Sequence, residues 1–174
     1  MFEVIRLLFA ICLLQKGPQD LPYSPFLLKL LLAVNFLTGL LIGRVDSSWL
    51  SAALQSLVSL LLACVFCWLC LYLSRKRPRL NQTLGTILGI DAMIGFFSLP
   101  AIATLSINQG GLTVVVLLIG LIGWHWAVIG HIIRHALDQS LSFGLGVALL
   151  YLMASYQVMA LLFPEIPKTT WEQP

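Results

Sequence analysis

The chain has 174 residues, of which 59% are hydrophobic and only 10% charged, with a formal net charge of +3. Soluble domains carry about a quarter of their residues as charges, so a water-soluble globular domain is excluded. Nucleic acid is excluded as a partner as well, because a phosphate-neutralising groove needs many Lys and Arg on one face.

The first stretch, Met1 to Leu14, holds an apolar run from Leu7 to Leu14, too short to span a bilayer but long enough for a signal-peptide core. Glu3 beside the single Arg6, the lack of a small-x-small cleavage pattern and Ile11 rather than a small residue before Cys12 argue against processing. Residues 1–17 are therefore expected to form an interfacial amphipathic helix. The run Pro18, Asp20, Pro22, Ser24, Pro25 predicts a stiff, non-helical link over 18–25, with Pro25 at a helix start where proline is tolerated.

From Phe26 on, five apolar stretches each approach the ~20 residues needed to cross a bilayer: Phe26 to Ile42, Trp49 to Leu73, Leu84 to Leu105, Leu112 to Ile133 and Leu141 to Phe163. The connections are too short for a further domain and no internal repeat is evident. The fold expected is all-α: one five-helix transmembrane bundle over 26–163 with a short extracytoplasmic tail over 164–174. Lys and Arg of short loops stay on the cytoplasmic side. Arg75, Lys76, Arg77 and Arg79 concentrate after the second span, Arg6, Lys16 and Arg134 fall on the same side, and the alternate loops offer only Arg44 or no charge. The N-terminus is thus expected in the cytoplasm and the C-terminus outside, where Lys168 stands against Glu165 and Glu172. Trp49 and Trp171 occupy aromatic-belt positions.

Within lipid there is no hydrophobic drive for helices to associate, so packing relies on small residues that let backbones approach. In the second span Ala52, Ser56, Ser59, Ala63, Cys67 and Cys70 recur at spacings of three and four, which predicts one contact face. Gly85 with Gly89, Gly123 with Ala127 and Gly130, and Gly144 with Ala148 repeat the pattern on later spans. Cys64, Cys67 and Cys70 have a cluster-like spacing, but inside an apolar helix without a fourth ligand they read as small hydrophobes rather than metal ligands. A palmitoylated Cys70 is the alternative in a eukaryote.

Ionisable groups inside the hydrocarbon are costly and face the bundle interior or a water path. Asp91 and His125 qualify, roughly 10 and 12 Å inside the basic-loop ends of their spans at ~1.5 Å per residue. Asn35 lies at a similar level, so an intramembrane polar layer of Asp91, His125 and Asn35 is expected, either fixing the packing of helices or relaying protons or ions. His131, His135 and Asp138 share a helical face at the end of the fourth span with Arg134 among them; Arg134 opposes a bound cation and is expected to pair with Asp138 in a solvated turn. Trp124, His125 and Trp126 are expected to pack rather than hold a haem.

Gly-rich phosphate loops, His-Glu-x-x-His motifs and Gly-x-Ser-x-Gly elbows are absent from the sequence, as are the converging acids of a lipid-modifying enzyme. No catalytic residue, metal ligand or cofactor is assigned. Partners are expected to be the lipid bilayer and other membrane proteins or a second copy of the chain.

The span pattern, the basic second loop and a final pair reading Gly123-Trp124-His125-Trp126 through His135 to Ser142-Phe143-Gly144 resemble the bacterial branch of the Yip family of membrane proteins, from about Phe26 onward. The resemblance implies a five-span, non-enzymatic membrane protein with no catalytic residues to carry over. Eukaryotic members are linked to vesicle traffic and small GTPases, but their cytoplasmic part is longer than the segment preceding Phe26, so the resemblance extends to the membrane domain and not to a GTPase partner. The expected function is an integral membrane scaffold or accessory subunit; the alternative is a small transporter or channel component built on the Asp91 and His125 layer.

The orientation is testable by fusing topology reporters at Arg77, Gly110 and Pro174. The expected outcome is a cytoplasmic signal at Arg77 and extracytoplasmic signals at the other two; a cytoplasmic signal at Gly110 or Pro174 reverses the assignment.

Overall fold

The computed structural model describes residues 2–107 and 111–164. It is 86% helical, and its described residues form six α-helices: α1 (Phe2–Cys12), α2 (Pro25–Arg44), α3 (Trp49–Leu73), α4 (Leu80–Ser106), α5 (Leu112–Leu137) and α6 (Leu141–Leu162). Helices α2 to α6 are long and apolar enough to cross a membrane, which makes this a multi-pass membrane protein. Gly110, Trp171, Lys168, Glu165, Glu172 and all of the tail beyond Pro164 lie outside the described residues.

Local sequence accounts for the helix boundaries. Ser24, Ser48 and Ser140 accept hydrogen bonds from the backbone N–H three residues on at the starts of α2, α3 and α6, satisfying donors that the first turn leaves unpaired. Pro25 occupies the first turn of α2, where its missing N–H costs nothing. Helix ends use left-handed residues without glycine: Leu14, Arg75 and Asp138 have φ of 60°, 57° and 51°. Around Leu14 and Arg75 the paired bonds Gln15 N to Ala10 O with Leu14 N to Ile11 O, and Lys76 N to Leu71 O with Arg75 N to Tyr72 O, are Schellman closures. The basic loop therefore turns away from α3 within three residues, which sends Lys76 and Arg79 toward the end of α5.

The spans pack largely through small residues, as close approach in lipid requires. Along α3, Ala52, Ser56, Ala63 and Cys67 are buried, but Ser59 is exposed. The contact face runs through Leu60 instead, at steps of four, four, three and four, because a straight 3.6-residue helix carries Ser59 about 60° off that line. Opposite this face stand Gly39 and Gly43 of α2. A Cβ on Gly39 would lie 2.6 Å from Ser56 Oγ, and one on Gly43 would lie 3.1 Å from Ala52 Cα. Ser56 Oγ donates to Phe36 O at 2.8 Å.

Gly85 and Gly89 are both buried. The first lies against Leu21 of the link and Leu31 of α2, the second against Leu8 of α1. Between α5 and α6 the approach is by backbone: a Cβ on Gly144 would run into Gly130 O, and one on Gly130 would lie 3.1 Å from Leu145 Cα. Gly123 does not join this contact. It is exposed, with nothing within 4 Å of its Cβ position, and Ala127 is only half-buried; the register places Gly130 at the crossing instead.

Helix α1 packs on protein. Leu8, Ile11 and Cys12 are buried against α4 and α5, and the Phe9 and Phe97 rings meet edge to face with centroids 6.3 Å apart.

This packing predicts opposite outcomes for two glycines one helix apart. Gly144→Val should lower the unfolding midpoint in detergent by the equivalent of about 2 kcal/mol or more, since overpacking of a close contact costs ~1–3 kcal/mol. Gly123→Val should stay within about 0.5 kcal/mol of the parent, as surface substitutions do. Circular dichroism melts of the two variants measure the difference.

Candidate functional site

The polar side chains inside the spans are few, and each is placed by a helix whose other faces are apolar. Asp91 of α4 and His125 of α5 meet directly, His125 Nε2 to Asp91 Oδ1 at 2.7 Å. Both side chains are about four-fifths shielded, with 22% and 19% relative exposure for His125 and Asp91. Asn35 stands one turn away and does not touch the pair: its Nδ2 donates to Leu88 O at 3.2 Å, tying α2 to α4. The three residues of the expected layer therefore form one bridge and one neighbouring tie.

The residues flanking His125 extend the network in two directions. Trp124 Nε1 donates to Cys12 O at 3.0 Å, occupying a carbonyl that the last turn of α1 leaves open. Trp126 Nε1 donates to Leu145 O at 2.9 Å, an interhelical bond beside the Gly130 and Gly144 crossing. Indole N–H groups seek such partners when buried. The Trp-His-Trp sequence thus binds α5 to α1, α4 and α6 within three consecutive residues. Among the described residues no buried side-chain nitrogen or oxygen lacks a partner.

A second polar cluster lies where the basic loop meets the end of α5. Asp138 closes α5 in the left-handed conformation. Its carboxylate accepts from Lys76 Nζ at 2.6 Å and from Arg79 Nη1 at 3.0 Å. The same two cations reach helix carbonyls: Lys76 Nζ donates to Leu137 O at 2.6 Å, and Arg79 Nη1 to His135 O and Ala136 O at 3.2 and 3.1 Å. Positive charge at a helix C-terminus complements both the unpaired carbonyls and the dipole. Asp138 therefore pairs with the basic loop and not with Arg134, the partner expected from spacing; the left-handed backbone carries its carboxylate off the line of the helical face. Hydrogen bonds from Lys76 and Arg79 hold the Asp138 carboxyl down at about 2, below the usual carboxylate range.

His131 departs from the solvated turn expected of it. It is buried, and its Nε2 lies 3.0 Å from Lys16 O, with the His135 ring edge-on at 4.5 Å. Gln82 Nε2 donates to Leu21 O at 2.7 Å, so the link between α1 and α2 is fastened to both α4 and α5. Cys64, Cys67 and Cys70 are free thiols on α3. Burial pushes the Cys12 thiol, at the end of α1, up to about 11, so it stays protonated. Among the described residues no group of three His, Cys, Asp or Glu is arranged to hold a metal ion. An apolar groove of about 490 Å³ runs between α1, α2 and α4, from Val4 and Leu8 to Phe96 and Phe97.

No family model, curated protein or solved structure matches this chain.

The Asp138 cluster makes a pH prediction. A carboxyl held below its unfolded value adds stability that is fully present above about pH 4 and is lost as pH falls toward about 2. Asn also tolerates the left-handed conformation, so Asp138→Asn removes the charge and keeps the turn. The gap in unfolding midpoint between parent and Asp138→Asn should be constant above about pH 5 and close between about pH 4 and 2. A gap that is flat across that window separates the ion pairs from stability.

Proposed function

We propose that this protein is a non-enzymatic integral membrane scaffold or accessory subunit, Yip-like in its span pattern, placed in a bacterial inner membrane with its N-terminus and basic loop in the cytoplasm. The observation that carries the reading is how the intramembrane polar groups are used. Asp91 with His125, Asn35 with Leu88 O, Ser56 with Phe36 O, Trp124 with Cys12 O and Trp126 with Leu145 O each join one helical segment to another. Polar groups spent as interhelical ties are the ordinary glue of a membrane bundle, and among the described residues no buried side-chain nitrogen or oxygen is left without a partner.

The orientation is supported by the concentration of Arg75, Lys76, Arg77 and Arg79 in one short loop. Trp49, three-fifths exposed at the opposite end with the Arg44 guanidinium 5.0 Å from its ring centroid, is suited to an interfacial position. The expected partner is another membrane protein or a second copy of the chain.

The alternative, a small transporter or channel component, draws on a short contact between two titratable groups inside the spans, the 2.7 Å Asp91 to His125 bridge. Against it stands the absence, among the described residues of α2 to α6 between that bridge and the end opposite the basic loop, of a further side chain that changes charge near neutral pH.

Asp91→Asn distinguishes the two. It keeps the shape and can still bond His125, so under the scaffold reading its unfolding midpoint, expression and cellular phenotype stay near the parent's. Asp91→Leu leaves His125 without its partner and should cost about 1–3 kcal/mol. A folded Asp91→Asn protein that has lost its cellular phenotype, together with pH-dependent flux in liposomes of the parent, assigns the transporter role instead.

A further inference from the structure

The four cations of the basic loop divide into two pairs. Lys76 and Arg79 are turned inward onto α5 and Asp138. Arg75 and Arg77 are exposed, and among the described residues neither has a carboxylate partner. Capping α5 uses the first pair; the second pair takes no part in it.

The exposed pair sits at the head of an aromatic ladder on the outer face of α3. Trp68 and Tyr72, one turn apart, are stacked with centroids 5.0 Å apart and planes at 23°, and the Arg77 guanidinium lies 4.0 Å from the centroid of Tyr72. A guanidinium stacked on an aromatic face keeps its N–H edge free for a planar or tetrahedral anion, and its position is fixed by the ring beneath it. Arg75, Arg77, Tyr72, Leu73 and Pro78 line an open cavity of about 540 Å³. Along α3 the surface continues as Trp68, Leu69 and Leu73, all exposed and apolar. Two unpaired guanidinium groups therefore cap an exposed apolar and aromatic strip at the end of a membrane-crossing helix.

We propose that Arg75 and Arg77 form a binding site for one anionic glycerophospholipid, its phosphate held by the two guanidinium groups and an acyl chain laid along Trp68, Leu69 and Leu73. The occupant follows from charge complementarity and from continuity: phosphate oxygens match the paired guanidinium edges, and an apolar strip runs directly from the cationic head in the direction of the bilayer. A soluble phosphate-bearing ligand would use the head and leave the strip bare. The site holds whether the protein is a scaffold or a transporter, because it uses none of the intramembrane polar groups.

The test is native mass spectrometry of the purified full chain in neutral detergent, titrated with phosphatidylglycerol, phosphatidylcholine or inorganic phosphate. The parent is expected to retain one phosphatidylglycerol in preference to phosphatidylcholine, and inorganic phosphate at equal concentration should not displace it. Each basic side chain near an anionic lipid surface is worth about fivefold in affinity, so the Arg75→Gln, Arg77→Gln double variant should bind phosphatidylglycerol about 25-fold more weakly. Tyr72→Leu, which keeps both charges and removes the stacking platform, should fall between the two. The circular dichroism melt of the double variant without lipid should stay close to the parent's, since the fold contact it gives up is the stacking of Arg77 on Tyr72 at an exposed site. Equal retention of the two lipids by the parent, undiminished binding by the double variant, or displacement by inorganic phosphate overturns the proposal.

Discussion

Hydrocarbon offers no hydrogen-bond partner, and this constraint organises the molecule. Backbone groups are satisfied inside each helix, so what is left to arrange is a handful of side chains and the helix ends. The solution is concentrated on α5. Its middle carries Trp124, His125 and Trp126, which reach α1, α4 and α6 in turn. Its last turn presents three carbonyls and a carboxylate to Lys76 and Arg79. The other spans come together by close approach, with Gly39 and Gly43 against Ser56 and Ala52 between α2 and α3 and Gly85 and Gly89 admitting Leu21, Leu31 and Leu8. One polar tie joins α2 to α3 and another joins α2 to α4.

Much of this is legible in the sequence because the bilayer imposes a length scale. The five spans are visible as apolar runs, and α3 ends at the residues the run marks, Trp49 and Leu73. Helices α2, α4 and α5 overrun theirs: α4 begins at Leu80 rather than Leu84 and α5 continues to Leu137 rather than Ile133, since a helix can hold amphipathic turns beyond the hydrocarbon, while α6 stops at Leu162, one residue short of Phe163. Matching depth brings Asp91 and His125 to one level. Depth does not fix rotation, which is why Asn35 points to Leu88 O and not to the pair.

Rotation is also what separates the small residues that pack from those that do not. Ser59 and Gly123 obey the spacing and miss the contact, whereas Gly39 and Gly43, four apart on α2, make it. A stripe of small residues marks a face, and the facing helix decides which members of it are used. The capping of α5 by Lys76 and Arg79 is of a different kind. It depends on a left-handed turn at Arg75 and another at Asp138, both at non-glycine residues, and the usual glycine signal for such turns is missing there.

The fastening of α1 has a consequence for the order of assembly. Cys12 O is held by Trp124 and Lys16 O by His131, contacts that bridge 112 and 115 positions of chain. A segment that precedes α2 in the chain thus acquires these two partners only after α5 has been synthesised. Until then α1 can rest only on α4, where Leu8 meets Gly89 and Phe9 meets Phe97, so α2, α3 and α4 must enter the bilayer before its docking is complete. Closing it is a late step of biogenesis, reached only when α5 is in place.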